Sequence, residues 1–596
     1  MKNKRAFHVF CCAAIAVAVL SATHYLLPVM ADNIVQDDFR QSQFWIWRYW
    51  DSSLFQDSPF VAYYRDLYCL KAPAAMLLHR LGPSLADNPV LWSKILAGLL
   101  AVLTTVLAFL YARALQPSDW AALCFAAFVS ALLWTTQHVS SATARAYLWP
   151  GLLAYLYVRR LEMKLGTLLV ITAMLLLHPP TGLLCLGAEC CCLGLLSLKH
   201  AFGLKQWSAN GLIQSAVKPL RAELVTTVGI CFLVVLVAML HLVAIPRIAP
   251  PRTMAPYTAT ELRQLPELNA GGRCCVFGGG RWTELKRQWM LDIGRRAVSR
   301  LIPLALLLGV GWSALRLRGK RRAGVFMSPP ACLFYASIGI CLLAYITFPM
   351  LYFPTRYVSA PWLVLSVVAL FCLCNEVLTL PTIAENLSNQ GVAASWAVLA
   401  AVGFGWAHSI RCDGYVAADP QLVNAVRQLP PSAVIAGMPN DLSSIPVTTG
   451  RQVYVDNERS MVLDRQLLLE IRRRMAISFD IYLSADPGRL EQLLRQEGIT
   501  HVLVVARNFS LLRSPERHLH FEPHNKVLYE LRSARCKGSL ILEEVLAKQQ
   551  TEAALFSVAE LLRFVSEDAR AQAKNGHMPP DGKQPSVEHN KSGPTL

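Results

Sequence analysis

Long apolar runs, interrupted by short charged or proline-bearing segments, occupy the first ~400 residues. A membrane-crossing helix takes about 20 apolar residues. That rule predicts about eleven spans, centred near residues 18, 101, 128, 152, 172, 189, 235, 307, 340, 366 and 401. Those near 152 and 172 are short, and Pro150, Pro179 and Pro180 mark breaks or kinks there. The first run, Ala6 to Met30, follows Lys2, Lys4 and Arg5 and has the outline of a signal peptide. Ala22-Thr23-His24 is a poor small-residue cleavage site and the apolar stretch continues to Met30, which favours a retained span.

The pattern changes at Asp413. Helical periodicity over 419–429, an apolar run at 433–437, a second at 452–455, helical patterns over 462–475 and 487–497 (ended by Gly498) and a buried strand at 501–505 alternate as in an α/β domain. The fold class expected is therefore mainly α: a polytopic helical membrane protein with a small C-terminal soluble α/β domain. The expected divisions are a transmembrane domain over 1–410 with outer loops 32–88 and 247–296, a soluble domain over 411–540, a helical extension over 541–573 and a disordered tail over 574–596. No glycine-rich phosphate loop follows any of the strands, and no internal repeat is visible.

Composition narrows the class. Of 596 residues 54% are hydrophobic and 16% charged, against about 25% charged in soluble chains, and the mean hydropathy is +0.37. A net charge of +18 in such a chain reflects Lys and Arg flanking the spans, not a nucleic-acid surface. Most of the 17 cysteines lie in apolar runs, where they act as small hydrophobes. Cys190-Cys191-Cys192 lacks a completing His or Cys pattern, and the adjacent Cys274 and Cys275 make a strained pair. Cys412 and Cys536 are left as a conceivable pair in the soluble part.

Basic residues set the orientation. An N-terminus on the inside puts Arg113, Arg159–Arg160, Lys199, Lys205, Lys218 and Arg221 in inner loops, followed by the compact cluster Arg316, Arg318, Lys320, Arg321 and Arg322. The expected location is the cell's inner (plasma) membrane, with the residues beyond 411 outside, in the periplasm if the cell has one. The outer loop 247–296 breaks the rule with nine basic residues, among them Arg263 and Arg273. Binding of phosphate or attraction to anionic lipid headgroups would each account for it.

Candidate chemistry lies on the same outer face. Asp37-Asp38 opens the aromatic stretch that runs to Trp50. Read as one helix in the membrane interface, it carries Asp37, Gln41, Trp45 and Arg48 on one face and Phe44, Trp47 and Trp50 on another. Such a helix would hold a carboxylate at the bilayer surface, where it could take a proton from a hydroxyl; alternatively one of the pair caps the helix. His138, Arg145, His178 and Arg356 fall in outer turns. Arginine suits bidentate phosphate contacts and histidine suits phosphate binding or proton transfer, although snorkelling and interfacial roles are open to them as well. Glu189 is the one clear carboxylate deep in a span, where a transporter or pump would show more.

The layout resembles the C-type glycosyltransferase superfamily, multi-pass enzymes that use polyprenyl-phosphate sugars and carry a catalytic carboxylate in the first outer loop. Asp37-Asp38-Phe39-Arg40-Gln41, Phe44-Trp45, Asp51-Ser52-Ser53-Leu54-Phe55-Gln56-Asp57, Thr143-Ala144-Arg145-Ala146-Tyr147-Leu148-Trp149-Pro150 and His178-Pro179 are similar to a group of uncharacterised bacterial multi-pass membrane proteins, as is the region 451–505. The resemblance runs from about residue 7 to 510. It implies Asp37 or Asp38 as general base, with Arg145, His178 and Arg356 holding the donor phosphate and Arg40 and His138 completing the substrate-binding set. Some members place a divalent metal beside the acidic residue, and Asp32, Asp37, Asp38 and Asp57 could offer oxygen ligands; no metal ligand set is assigned. The partners implied are a lipid-linked sugar donor, membrane lipid and an acceptor of unknown identity, with no nucleic acid. A non-catalytic assembly or binding protein for envelope polysaccharide, or a lipid or polysaccharide transporter, are the alternatives; a transporter predicts inverted repeats with broken helices.

Overall fold

The computed structural model describes residues 2–56, 58–115, 118–203, 257–269, 271–273, 328–346, 354–378, 414–460, 462, 464–514, 519–535 and 540–574, with helical positions at 228, 229, 232, 233, 394, 398 and 401. Among them, three helices are long and apolar enough to cross a membrane: Phe7–Val29, Pro89–Leu115 and Pro179–Leu196. Four more apolar helices, Asp119–Leu133, Lys164–Leu177, Pro329–Ala344 and Pro361–Cys372, are shorter. These residues therefore do not display eleven full-length spans. A turn region over 134–147 and the His178-Pro179 break divide apolar sequence into shorter helices, and the helix expected near 152, Leu148–Arg160, has only 13 residues. The spans expected near 235, 307 and 401 lie largely outside the described residues, as do Cys274, Cys275, Cys412 and Cys536.

Small residues let the helices approach. Ala14, Ala18 and Ala22 recur every four residues on the first helix, Lys2–Leu26, and are buried. Ala97, Ala101, Ala108 and Ala112 do the same on Pro89–Leu115, which packs on that helix and on Asp119–Leu133 and Leu148–Arg160. Leu20, Leu99, Leu165, Leu169 and Ile346 stand exposed on the outside, as lipid contact requires. Glu189 is neutralised inside the bundle: Tyr155 donates its hydroxyl to it at 2.7 Å and Arg159 lies 2.9 Å away.

The C-terminal domain, called the outer domain after the location the sequence suggests for it, is built on a four-stranded sheet. Its strands follow a two-stranded ribbon made of β1 (Ile34–Gln36) and β2 (Tyr415–Ala417). They are β3 (Val434–Gly437), β4 (Gln452–Val453), β5 (His501–Val505) and β6 (Ala553–Ser557), in the order β4-β3-β5-β6. β3 is parallel to β4 and β5, whereas β6 is antiparallel to β5. β6 is a departure from expectation: the segment 541–573 gives helices Ile541–Gln549 and Val558–Lys574 with this strand between them. Its residues Ala-Ala-Leu-Phe-Ser alternate too weakly to announce a strand, and pairing with β5 decides the matter. The helix expected over 462–475 runs over Arg465–Tyr482, capped by Asp464, because Phe479, Ile481 and Tyr482 continue its buried side.

This domain sits on the loop 32–88, expected as the first outer loop. β1 pairs with β2, Asn33 donates to the carbonyl of Ala418 at 2.7 Å, and Trp47 donates its indole N–H to the carbonyl of Val447 at 2.8 Å. Gly450 ends the helix Ile445–Thr449 at φ 71°, and a Cβ there would meet Leu54 Cδ1 at 2.9 Å, so both backbone and contact call for glycine. The described part of the second outer loop packs on the domain as well, through the bidentate pair of Arg472 with the buried Glu267, 2.8 Å at each oxygen.

Candidate active site

Three features of the loop 32–88 differ from the sequence expectation. The stretch from Asp37 to Trp50 is not one helix. An α-helix, Asp37–Ser42, ends at Gln43 and a 3-10 helix, Phe44–Tyr49, follows. Phe44, Trp45 and Ile46 are buried inside the protein, not laid along the headgroups: the segment packs on helices Pro59–Lys71, Pro89–Leu115 and Ile445–Thr449, and Phe44 meets Phe55, Tyr64 and Arg459. The cap is neither aspartate: the side chain of Gln36 accepts from the Phe39 N–H at 3.1 Å. Both carboxylates of the first turn are thereby left for other partners.

Neighbours along a helix diverge by about 100°, and the two side chains face different companies. Asp38 accepts from Arg145 Nη1 at 2.5 Å, and each side chain of this pair is about one-fifth exposed (22% and 21%). Arg145 is held on the 3-10 turn Ala144–Tyr147, and His138 on the short helix Gln137–Ser140 just before it. His178 terminates the helix Lys164–Leu177; its N–H donates to Met174 O and its Nδ1 lies 2.8 Å from Thr181 Oγ1. Arg356 is on the 3-10 turn Pro354–Tyr357. Four separate turns thus supply one cationic cluster.

Electrostatics show that the cluster acts as a unit. Burial pushes the Asp38 carboxyl up, but Arg145, Arg356, the Arg145 hydrogen bond and His138 outweigh it and hold Asp38 below the usual carboxylate range. Burial, reinforced by Arg356, Arg145 and His138, drives His178 down to about 3, so its ring is neutral at physiological pH.

Asp37 faces the other way. Its side chain is 39% exposed, and its carboxylate accepts from Arg40 Nη2 at 2.5 Å. The same Nη2 lies 3.1 Å from Glu458 of the outer domain, while Arg40 Nη1 reaches Ser444 Oγ at 3.4 Å. Burial and the Glu458 carboxylate lift Asp37 above the usual range against the pull of Arg40. Arg40 therefore keeps company with Asp37 and Glu458, whereas Arg145, His138 and Arg356 gather on Asp38 and also act on His178.

Glu458 was not singled out from the sequence, and Arg273 figures there only as one of the basic residues of the loop 247–296. Arg273 pairs with the second Glu458 oxygen and also donates to the carbonyl of Asn457. That pairing gives one basic residue of the second outer loop a protein partner; Arg263 is exposed, and the other seven lie outside the described residues. The available signal was the charged run Asp456-Asn457-Glu458-Arg459 soon after β4, on the side where ligands of α/β sheets gather.

The carboxylates suggested as metal ligands are not brought together. Asp32 accepts from Asn88 at 3.1 Å, Asp37 holds Arg40 and Asp38 holds Arg145, while Asp57 is outside the described residues. No group of three His, Cys, Asp or Glu that could hold a metal occurs among the described residues. With arginines already on both aspartates, this arrangement does not fit a divalent ion. A void lined by Phe44, Phe55, Phe60, Pro446, Val453 and Arg459 measures about 10 Å³, room for about one water, and is too small for a sugar.

No family model matches the chain, and no curated protein matches it in sequence. Solved structures of the oligosaccharyltransferase of the archaeon Archaeoglobus fulgidus are distantly similar. The structure tethered to an acceptor peptide with the NVT sequon is 13% identical at a TM-score of 0.41, covering 88% of this chain and 72% of that one. The complex of AglB with an inhibitory peptide and a dolichol-phosphate is 11% identical at 0.40, covering 84% and 70%. The apo form is 12% identical at 0.40, covering 84% and 71%. A likeness this distant carries no functional inference, which must come from the site itself.

Proposed function

We propose that the chain is an integral membrane glycosyltransferase that moves a sugar from a polyprenyl-phosphate carrier to an acceptor on the outer face by inverting displacement. The observation that supports it is the divided acidic pair: Asp38 among Arg145, His138, His178 and Arg356, and Asp37 turned toward the outer domain. An in-line displacement needs the leaving phosphate and the attacking hydroxyl on opposite sides of the anomeric carbon. The cationic cluster suits the first and Asp37 the second.

In this reading the acceptor O–H gives its proton to Asp37 as its oxygen bonds to the anomeric carbon. The bond from that carbon to the phosphate oxygen breaks, and the electron pair leaves on the phosphate, stabilised by Arg145 and Arg356. Asp38 keeps Arg145 oriented before the donor arrives. The raised Asp37 and lowered Asp38 are environments that divide roles between two carboxylates. The neutral ring of His178 serves as a hydrogen-bonding partner for the phosphate without adding charge.

The test is transfer of label from radiolabelled polyprenyl-phosphate sugars in membranes holding the wild type, Asp37→Asn or Asp38→Asn. Transfer by the wild type that falls in Asp37→Asn at normal protein level supports the reading. Wild-type membranes that transfer from none of the donors, or transfer that survives both substitutions, overturn it.

A further inference from the structure

We propose that Glu458 of the outer domain is a positioning residue for this reaction, sharing the Arg40 guanidinium with Asp37 so that Asp37 stays available to the acceptor hydroxyl. The inference rests on the reading of Asp37 as the proton acceptor and adds a residue from a different domain.

The geometry carries it. Arg40 Nη2 stands between two carboxylates, 2.5 Å from Asp37 and 3.1 Å from Glu458. Glu458 is itself held from three sides: Arg40 on one oxygen, Arg273 of the second outer loop on the other, and Gln41 donating to its backbone carbonyl at 3.1 Å. A lone Arg–Asp pair would keep the aspartate ionised and occupied, a poor proton acceptor. A second carboxylate on the same guanidinium divides that attraction and adds repulsion. The charged groups acting on Asp37 are Glu458, Arg40 and Asp38, with Arg273 behind Glu458. Their balance leaves Asp37 above the usual carboxylate range. Glu458 reaches Arg40 only from a docked outer domain, since it follows β4 of that domain's sheet. Docking and readiness of Asp37 are thereby linked.

The test uses the full chain in membranes with Glu458→Gln and Glu458→Asp. With Glu458→Gln, kcat for transfer falls about 10- to 100-fold, a part of the general-base contribution, while KM for the donor stays within about threefold because the cationic cluster is untouched. The acid limb of kcat/KM moves to lower pH, since removal of the Glu458 charge lets Arg40 pull Asp37 down. Glu458→Asp restores most of kcat and of the pH profile. A separate readout needs no turnover: the Asp37 carboxyl band, assigned by its loss in Asp37→Asn, is titrated by infrared difference spectroscopy and moves to lower pH in Glu458→Gln. Unchanged kcat and an unmoved Asp37 titration in Glu458→Gln overturn the role of Glu458 even where Asp37→Asn abolishes transfer. A loss of kcat without any pH shift, unrescued by Glu458→Asp, reduces Glu458 to a structural tie and overturns it too. A wild type that transfers nothing, but whose Asp37 titration moves in Glu458→Gln, sinks the transferase reading and leaves the positioning of Asp37 standing.

Discussion

Replacing each aspartate of the pair by asparagine separates chemistry from architecture. Asp38→Asn removes the anion facing Arg145, with both side chains about one-fifth exposed. Exposed pairs contribute ~0–1 kcal/mol, and breaking a buried one from one side costs ~3–5 kcal/mol, so this intermediate case is expected to cost about 1–3 kcal/mol. Asp37 is 39% exposed, and Arg40 retains Glu458 when it is lost; the expected cost is about 1 kcal/mol or less. Rates reverse the order. Loss of a general base lowers turnover ~10²–10⁴-fold, or about 3–5.5 kcal/mol of barrier. Asp37→Asn should therefore be stable and nearly inactive with an ordinary donor KM. Asp38→Asn should be measurably less stable and need more donor. Initial rates over a donor series in membranes, beside thermal unfolding of the purified protein, give all four numbers. Turnover of Asp37→Asn within tenfold of the wild type, or a large rate loss confined to Asp38→Asn, would refute the division of roles.

Four further outcomes are expected. Arg145→Lys keeps a charge but loses the planar donor fork, and raises the donor KM about tenfold in the same rate series. Glu189→Gln leaves Arg159 without its anion inside the bundle and lowers stability by ~3–5 kcal/mol, whereas Glu189→Leu with Arg159→Met costs less; thermal unfolding in detergent compares them. Gly450→Val meets both the positive φ and Leu54 and destabilises the C-terminal domain by ~1–3 kcal/mol, read as a lower midpoint in thermal unfolding of the purified protein. Buried His520 and His524, held at about 4 and about 3, are neutral when folded but gain protons in the unfolded chain below ~6.5. Their depressed values therefore subtract stability as pH falls from about 6.5 toward 4, by at most ~1.4 kcal/mol per pH unit for each, and His524→Asn flattens unfolding curves taken at pH 7 and pH 5.

Much of the local structure was legible because it depends on local pattern. The helix read from Asp419 is there with Asp419 as its cap, Gly498 takes φ 62°, and the apolar runs at 433–437 and 501–505 hold the strands Val434–Gly437 and His501–Val505. Arg145, His138 and Arg356, each expected in a turn between apolar helices, act on both Asp38 and His178. What escaped depends on distant partners. The Asp37–Trp50 periodicity is helical, yet the helix ends at Gln43 and packing against elements distant in sequence buries Phe44–Ile46. Gln36 as cap is an unusual choice that propensity ranks below Asp. Glu458 is far from Arg40 in sequence, and no short-range rule joins them.

The β1–β2 ribbon also sets a clock. Asp37 donates its amide to the carbonyl of Gly414 at 2.7 Å, and Asn33 bonds Ala418 across 385 residues of chain. Synthesis at ~5–20 residues per second leaves a gap of about 20–80 s between the two halves of that ribbon. Throughout it β1 stands without its partner strand, and the amide at the start of the acidic helix is open to water. The acidic helix thus acquires its final frame only once residues 414–418 have been made and have folded back onto β1.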